Sequence, residues 1–285
     1  MKRRRPTDPA ARALTHARRG YAREWSHGNA RPFAAAGHYQ WMAGFLSGCR
    51  NMLEIGTGDG SSTAALLESV PAVVSLDENP ACLRLAQRRL HAEGHRVRCD
   101  FRGAVQPTLT GHRVRYRPPR VARLERGALL LEGDILDDPT LTAWLAAGGA
   151  FDAVTCWLIG TYAERTRDES LRRLPIRDPD DYRAAVQRAV IRLAARVVRP
   201  GGLVHLVDRA ELPRDATERG RALAYYDGLA GDTGVRACDL DVRPYPEPGP
   251  AFGMAVRLAA PSATTQSKGF LSIRLRRTGD GPHLP

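Results

Sequence analysis

The fold is decided by residues 52–63, whose sequence is MLEIGTGDGSST. Apolar, strand-forming residues come first, and a turn containing Gly56, Gly58 and Gly60 follows. These glycines allow a tight turn and a close approach of a ligand to the backbone, because no Cβ stands in the way. The hydroxyl residues behind the turn can cap a helix running to Leu67, and a helix N-terminus favours polar or negative groups. The stretch therefore predicts a strand–turn–helix unit with a ligand at the turn.

The following segments have the order of an alternating α/β protein. A second apolar strand at residues 72–77 ends in Asp77, 17 residues after Gly60. That separation is close to the roughly 20 residues expected of an acid that holds ribose hydroxyls. Further strands are predicted at residues 129–135, 151–155 and 203–207. Helices are predicted from hydrophobic periodicity and capping residues at 34–46, 80–93, 139–147, 182–197 and 215–229.

The glycine spacing separates two cofactor families. The dinucleotide fingerprint is G-x-G-x-x-G, whereas this chain has G-x-G-x-G and places Ser61 where the third dinucleotide glycine would stand. With Glu54 in front, the turn resembles motif I of class I S-adenosylmethionine-dependent methyltransferases. Segments at 72–77, 129–135, 151–155 and 199–204 resemble later motifs of that family, in the family's order. The resemblance implies an α/β fold with a doubly wound, mostly parallel seven-stranded sheet, and S-adenosyl-L-methionine as cofactor.

The resemblance also implies which residues meet the cofactor. We expect Asp77 at the ribose, Asp134 with Ile135 at the adenine, and the glycine turn with Glu54 at the methionine part. The full set of predicted cofactor-binding residues is Glu54, Gly56, Thr57, Gly58, Gly60, Asp77, Glu78, Asp134, Ile135 and Cys156.

Length and composition are those of one globular domain. The chain has 285 residues, of which 43% are hydrophobic, and no apolar run is long enough to predict a membrane span. Five scattered cysteines without a C-x-x-C pair favour reduced thiols in a cytoplasmic protein over a zinc site or a disulfide framework. We divide the chain into a basic, partly disordered lead-in at 1–33, a methyltransferase domain at 34–277 and a frayed tail at 278–285.

Two parts of the domain depart from a minimal pattern. Alternation on both sides of a turn predicts a β-hairpin made from residues 95–102 and 112–117, within an insertion at 95–128. Its apolar face would hold Val97, Cys99, Phe101, Val114 and Tyr116, and its other face would be arginine. Near the C-terminus, strands at 235–242 and 252–258 are predicted to close the sheet as an antiparallel pair, and 269–276 is predicted as one more strand.

Positive charge is concentrated in two segments of a chain whose net charge is +12. Residues 1–32 contain nine basic and two acidic residues, and residues 96–126 contain nine arginines and two acidic residues. One interpretation is attraction to a nucleic acid or to an acidic substrate. The alternative is compositional bias, since Lys2 and Lys268 are the only lysines.

Aromatic residues suggest where a methyl acceptor would lie. Segments before the first strand often cover the cofactor in the resembled family, which makes Trp25, His27, His38, Tyr39 and Trp41 candidates for a lid. Residues beyond the fourth strand should meet the acceptor, because ligands of doubly wound sheets lie beyond the carboxyl ends of the strands. The predicted substrate-contacting residues are Tyr39, Trp41, Trp157 and Tyr162. The alternative is that these side chains pack the core.

Methyl transfer is an in-line displacement that depends mainly on proximity and alignment. A general base is needed only if the acceptor must lose a proton, and the candidates for that catalytic role are His38 and Asp208. Metal-dependent catechol-type enzymes also carry an acid after the fifth strand, but Arg209 replaces their usual asparagine, so we predict no metal. His205 lies inside the fifth strand and is interpreted as a core histidine.

The predicted function is methyl transfer to a small or acidic organic acceptor. The first alternative is a nucleic-acid methyltransferase that uses the two basic segments. An aminopropyltransferase would need an acid-rich segment after the fourth strand, where this chain has CWLI at 156–159. A nicotinamide-dependent oxidoreductase would need the other glycine spacing. A non-catalytic adenosylmethionine-binding protein stays open as well.

Overall fold

The computed structural model describes residues 8–245 and 268–279. The strands of this part are β1 (Asn51–Ile55), β2 (Ala72–Asp77), β3 (Val97–Asp100), β4 (Gly103–Pro107), β5 (His112–Tyr116), β6 (Gly127–Glu132), β7 (Phe151–Trp157), β8 (Val198–Glu211), β9 (Val235–Pro244) and β10 (Lys268–Arg277). The α-helices are α1 (Pro9–Trp25), α2 (Arg31–Ala35), α3 (His38–Gly44), α4 (Ser61–Leu67), α5 (Pro80–Ala92), α6 (Pro139–Ala147), α7 (Pro179–Val197) and α8 (Ala216–Ala230).

The main sheet of the described residues has eight strands in the order β3-β6-β2-β1-β7-β8-β10-β9. Strands β3, β6, β2, β1, β7 and β8 are parallel, and β10 is antiparallel to both of its neighbours. This confirms the predicted doubly wound, mostly parallel architecture, with one additional edge strand, β3. The chain builds outward from β1 on one side and then returns to β7 on the other, which leaves a crevice at their carboxyl ends.

Helices cover both faces of the sheet. Helices α6, α7 and α8 pack on one face, in a core that contains Leu53, Leu129 and Val154 of the central strands. Helices α2, α3 and α4 pack on the opposite face around Phe33, and α5 contributes a smaller cluster there. Burial on both faces explains why the central strands are continuously apolar rather than alternating.

The N-terminal segment differs from its prediction. We expected the lead-in at 1–33 to be partly disordered, but residues 9–25 of it form α1. Asp8 caps this helix by accepting a hydrogen bond from the amide of Ala10 at 2.8 Å, and Pro9 occupies the first helical position, where proline is favoured. The predicted helix at 34–46 is two helices, α2 and α3, because Gly37 adopts a left-handed conformation with φ of 69° between them.

The predicted hairpin was half wrong. Its second strand is β5, but β5 pairs with β4, at residues 103–107, and not with residues 95–102. Strand β3, which carries Val97 and Cys99, instead joins the main sheet beside β6. The antiparallel closure of the sheet is made by β9 and β10. The predicted strand at 252–258 lies outside the described residues.

Candidate cofactor and acceptor site

A cavity opens at the carboxyl ends of β1, β2, β6 and β7, the edge at which a doubly wound sheet binds ligands. Its floor is the glycine turn after β1, together with the residues that end or follow the other three strands. Tyr21 and Trp25 of α1 form its roof, and Tyr182 and Val186 of α7 form one wall. Four strand ends and two helices therefore converge on one cavity.

Glycine is required twice in the turn that forms the floor. Gly56 has φ of 93° and Gly58 has φ of 56°, a region that favours glycine. A Cβ at Gly56 would lie 2.7 Å from Cδ1 of Ile159, and a Cβ at Gly58 would lie 2.8 Å from Nε1 of Trp25. Both glycines line the cavity, as predicted, and let neighbouring side chains approach the backbone closely.

Glu54 lies beneath the turn and not in the cavity. Its carboxylate is 2% exposed and accepts hydrogen bonds from the hydroxyls of Ser62 at 2.5 Å, Thr63 at 2.6 Å and Ser75 at 2.6 Å. Burial raises the pKa of Glu54, and the three hydroxyls oppose that shift. Glu54 thus braces the turn against α4 and β2, which corrects the expectation that it approaches the cofactor directly.

Two other predicted cofactor residues also lie outside the cavity lining. The hydroxyl of Thr57 shares a buried hydrogen bond of 2.7 Å with Ser75. A Cβ at Gly60 would lie 2.8 Å from Cα of Ala86, so Gly60 permits close packing of the turn on α5. These residues shape the turn from behind.

Asp77 ends β2 at the cavity floor. Its Oδ2 accepts a hydrogen bond from the amide of Gly58 at 3.0 Å, and its Oδ1 accepts one from the amide of Asn79 at 2.8 Å. Burial, followed by the negative charge of Glu78, raises the pKa of Asp77 to about 7. The carboxyl group is therefore fixed in orientation and titrates near neutrality.

Glu78 connects the floor of the cavity to its roof. Its Oε2 accepts hydrogen bonds from Nη2 of Arg18 at 2.9 Å and from the hydroxyl of Tyr162 at 3.1 Å. Arg18 lies on α1 and is 5% exposed, and it also donates to the backbone oxygen of Glu78 at 2.7 Å. Burial, the largest single influence, would raise the pKa of Glu78, but Arg18, Arg165 and Tyr162 together outweigh burial and the pKa is lowered.

Asp134 and Ile135 line the cavity beyond β6. Asp134 is 4% exposed. Its Oδ1 accepts from the amide of Leu136 at 2.9 Å, and its Oδ2 accepts from Nη2 of Arg165 at 2.5 Å. Asp134 and Ile135, the two residues predicted to meet the adenine, therefore both line the cavity, and Arg165 contacts Asp134 from outside the lining.

The stretch from Trp157 to Gly160 forms the side of the cavity beyond β7. Leu158 has φ of 58° and is the one non-glycine residue of the described chain with positive φ. A left-handed branched side chain stores backbone strain, which tends to cluster at functional sites. The amide of Leu158 donates to the backbone oxygen of Val207 at 2.7 Å, which holds the turn in place. Trp157 and Tyr162, two of the predicted substrate residues, line this cavity.

The other predicted acceptor and catalytic residues are not brought to the cavity. His38 is 6% exposed and packs edge-on against Phe33 and Phe270; burial and then Arg243 lower its pKa. Tyr39 is buried in the same core, and Trp41 packs on Phe45 outside the cavity. These three side chains belong to α3 and none of them lines the cavity, so the structure does not support His38 as a base or Tyr39 and Trp41 as substrate contacts.

Asp208 and Cys156 also lie outside the cavity lining. Oδ2 of Asp208 accepts a hydrogen bond from the amide side chain of Gln187 on α7, and burial raises the pKa of Asp208 to about 6. Cys156 is 2% exposed in the core beneath α7, where burial raises the pKa of its thiol. The structure gives neither residue the cavity contact that was predicted for it.

Residues of α1 that line or close the cavity were largely missed. Trp25 was a lid candidate, but Arg18 and Tyr21 were assigned to disordered or irregular chain. The available signal was the helical spacing of Leu14, Arg18, Ala22 and Trp25, all of which are buried. The many basic residues of segment 1–32 were interpreted as solvent-exposed charge, and this obscured the helical periodicity. Asp168 lies three residues after Arg165, but the partner that places Arg165 at the cavity, Asp134, is 31 residues away and is identified only by the fold.

Several arginines of the basic segment 96–126 are already engaged by the protein. Arg102 is 3% exposed and pairs with Asp138 at 2.8 Å. Arg117 pairs with Asp100, and Arg113 lies 3.8 Å from Asp137. Arg123 stacks on Phe151 and donates to backbone oxygens. Part of this charge therefore has a structural use.

Residues 8–245 and 268–279 contain neither a cluster of metal-binding side chains nor a membrane-spanning helix. No group of three or more histidine, cysteine or acidic side chains is placed to hold a metal ion. Across the same residues, no helix combines the length and apolarity needed to cross a membrane.

Solved structures of methyltransferases resemble this fold at low identity. N-methyltransferase NodS from Bradyrhizobium japonicum, in complex with S-adenosyl-L-homocysteine, is 14% identical, with 95% of this chain and 89% of that chain covered and a TM-score of 0.43. An O-methyltransferase family protein from Burkholderia thailandensis is 16% identical over 95% of this chain and 63% of that chain, with a TM-score of 0.47. An rRNA methylase from Streptococcus thermophilus is 12% identical over 85% and 94%, with a TM-score of 0.40.

No family model and no curated protein matches the chain. The strand order, with its antiparallel β10 between β8 and β9, and the glycine turn after β1 define a Rossmann-like, doubly wound α/β fold.

Proposed function

We propose that this chain is an S-adenosylmethionine-dependent methyltransferase that acts on a small organic acceptor in a covered cavity. One observation carries the proposal: a single cavity at the carboxyl edge of the sheet is lined by the glycine turn, by Asp77 and by the pair Asp134–Ile135. The family resemblance assigns these three parts to one cofactor site, although about 80 residues of sequence separate the first part from the last.

The cavity residues fit the parts of such a cofactor. The bare backbone at Gly56 and Gly58 suits close approach of its methionine part. The fixed carboxyl of Asp77 suits the ribose hydroxyls, which are hydrogen-bond donors. The free lone pairs of Asp134 suit the amino group of adenine. When bound, the cofactor supplies an electrophilic methyl group on a sulfonium.

The protein's contribution to transfer is alignment and exclusion of water. Tyr21 and Trp25 line the cavity from α1, and Trp157 and Tyr162 line it beyond β7, where we place the acceptor. Holding two reactants close and aligned supplies much of the acceleration in a displacement of this kind. No histidine of the described chain lines the cavity, which favours an acceptor that already carries a free lone pair, such as a neutral amine.

The sequence predicted a small or acidic acceptor, and the charge of the lining favours a small neutral or cationic acceptor over an acidic one. Asp77, Glu78 and Asp134 line the cavity, and no arginine or lysine among the described residues does so directly. An acidic acceptor would therefore be opposed by like charge. The nearest cations, Arg18 and Arg165, are each paired with carboxylates.

The rival functions have weaker support. A nucleic-acid acceptor would need free arginines, and four of the nine in residues 96–126, those at 102, 113, 117 and 123, have partners within the protein. A nicotinamide enzyme would need a glycine at Ser61, whose hydroxyl instead donates to Asp59 at 2.6 Å. An aminopropyltransferase would need acids beyond β7, where Leu158 and Ile159 lie.

Calorimetry tests the proposal directly. We expect wild-type protein to bind S-adenosylmethionine and its demethylated product with micromolar affinity and not to bind NAD. Asp77→Asn should weaken binding at least tenfold, whereas Asp208→Asn, outside the cavity, should not. Absence of adenosylmethionine binding by folded wild type would overturn the proposal.

A second titration addresses the acceptor class. Mixed RNA and DNA are titrated at two salt concentrations, because each neutralised phosphate adds roughly one unit to the log–log slope. Steeply salt-dependent binding of nucleic acid, together with cofactor binding, would replace the small acceptor by a nucleic acid. Weak binding of nucleic acid, with little dependence on salt concentration, would support a small acceptor.

A further inference from the structure

Arg165 is an unusual buried cation at the edge of the cavity. It lies in the helical turn Ala163–Arg167 after β7 and is 1% exposed. Its Nη2 donates to Oδ2 of Asp134 at 2.5 Å, and its Nη1 donates to Oδ2 of Asp168 at 2.9 Å. A single guanidinium thus joins a carboxylate that lines the cavity to a carboxylate that does not.

The outer carboxylate is itself rigidly held. Oδ1 of Asp168 accepts from both the amide of Ser170 at 3.0 Å and the hydroxyl of Ser170 at 2.7 Å. Asp168 is 1% exposed. The chain of contacts therefore runs from a fixed turn, through Arg165, to the carboxylate of Asp134. Burial works to lower the pKa of Arg165, but Asp134 and its other neighbours raise it well above its ordinary value, so the guanidinium stays charged.

The consequence for Asp134 is a defined acceptor geometry. One of its oxygens takes the Leu136 amide and the other takes Arg165, which fixes the plane of the carboxylate. Each oxygen of a carboxylate can accept about two hydrogen bonds, so each oxygen of Asp134 keeps capacity for a further donor, and Asp134 lines the cavity. A group that accepts there can pair with an amino group and is repelled by a carbonyl oxygen.

We propose that Arg165 is a positioning residue that aims Asp134 at the 6-amino group of the cofactor's adenine and so selects a 6-aminopurine cofactor over a 6-oxopurine one. The inference rests on the proposed function, because it assumes an adenosyl ligand in this cavity. It adds a residue that neither the sequence motif nor the cavity lining identifies, and it assigns that residue an effect on ligand discrimination.

The test compares two ligands that differ at one position. S-adenosyl-L-homocysteine carries the 6-amino group, and S-inosyl-L-homocysteine carries a 6-oxo group in its place. Calorimetry gives the dissociation constant of each, and their ratio measures discrimination. Wild type is expected to prefer the adenosyl ligand at least tenfold. Arg165→Met should weaken adenosyl binding about tenfold while changing inosyl binding much less, so that the ratio falls at least fivefold.

A matched control separates positioning from general damage. Arg102 is also buried and also paired with a carboxylate, Asp138, but neither lines the cavity. Arg102→Met removes a comparable ion pair and should leave the ligand ratio at the wild-type value. Arg165→Lys keeps a positive charge, so its ratio of inosyl to adenosyl dissociation constants should lie between those of Arg165→Met and wild type. If Arg165→Met does not fold, Arg165→Lys and Asp168→Asn carry the test, and each should lower the ratio by a smaller factor.

The possible outcomes distinguish failure of the inference about Arg165 from failure of the proposed function on which it rests. If wild type binds neither ligand, the proposed function fails and the inference fails with it. If wild type prefers the adenosyl ligand and the variants at Arg165 and Asp168 keep the full ratio, the function stands and the inference is overturned. A wild type that binds both ligands equally also overturns it.

Discussion

The indole nitrogen of Trp157 donates a hydrogen bond to Nδ1 of His205 at 3.3 Å, inside the core beside the cavity. An indole N–H only donates, so Nδ1 must be the unprotonated nitrogen of a neutral imidazole. The proton is therefore on Nε2, which lies 2.8 Å from the hydroxyl of Ser272. The Nε2-protonated tautomer of His205 thus holds the orientation of the indole ring of Trp157, which lines the cavity. The interpretation of His205 as a satisfied core histidine is confirmed.

This arrangement predicts a pH-dependent contribution to stability. Burial, with Arg274 as a lesser cause, lowers the pKa of His205 to about 3, so the unfolded chain binds a proton that the folded protein resists between about pH 6.5 and 3. The contribution is complete above pH 6.5 and is lost as pH falls. Between pH 6.5 and 5, wild type should lose about 2 kcal/mol of unfolding free energy relative to His205→Gln.

Urea unfolding at the two pH values measures that difference. Ser272→Ala is the control, because it removes one hydrogen bond and keeps the histidine, so its curve should stay parallel to that of wild type. Parallel pH dependence of wild type and His205→Gln would contradict the assigned tautomer and its lowered pKa.

The fold was predictable because its signals are local. The turn at Gly56 and Gly58 and the acids that end or follow strands β2 and β6 are recognised from spacing alone, and the sheet joins them. The pairing of Arg18 with Glu78 and of Arg165 with Asp134 was not predictable, because each pair is far apart in sequence and is brought together only by the packed fold. The prediction of His38 as a base was wrong for a related reason. The sequence places His38 before β1 but does not give the direction of its side chain, which packs in the core against Phe33.

The contact of Arg18 with Glu78 and Tyr162 should govern opening of α1. Arg18→Met removes the hydrogen bonds to Glu78 and leaves that carboxylate without its cation, and a hydrogen bond to a charged group contributes roughly 1.5–3 kcal/mol. Amides of α1 should then exchange with solvent at least tenfold faster, and bound S-adenosylhomocysteine should dissociate faster. Hydrogen exchange and stopped-flow displacement measure the two effects.

Arg19→Met serves as the control for this helix. Arg19 is the exposed neighbour of Arg18, so its replacement changes charge and helix propensity by the same amount without touching the cavity. Equal exchange rates in the two variants would show that the contact does not hold α1 in place.

Two glycines with positive φ should respond differently to alanine. Gly60 has φ of 87° and would place a Cβ 2.8 Å from Cα of Ala86, whereas Gly37 has φ of 69° and open space around it. Gly37→Ala should cost only the left-handed strain, about 1–2 kcal/mol. Gly60→Ala adds a clash with the backbone of α5 and should cost roughly 2–5 kcal/mol in all. Urea unfolding of both variants checks the order, and a smaller loss at Gly60 would show that the turn can move away from α5.

Asp77 should make cofactor binding depend on pH near neutrality. Its pKa is raised to about 7 by burial and by Glu78, so the free protein carries a protonated carboxyl below that value. Ribose hydroxyls donate best to the carboxylate, so affinity should rise as pH increases through 7. Between pH 8 and pH 6, the dissociation constant of S-adenosylhomocysteine should increase roughly tenfold, since binding then requires release of a proton.

Asp77→Asn should bind more weakly and lose this dependence, because the amide does not titrate. Glu54→Gln is the matched control: Glu54 is also buried with a raised pKa, yet it faces away from the cavity and should leave the pH dependence of binding unchanged. Calorimetry at pH 6, 7 and 8 distinguishes the two. If Glu54→Gln rather than Asp77→Asn removed the dependence, the titrating group would be the brace beneath the turn, and pH would act on the shape of the glycine turn rather than on a ligand contact.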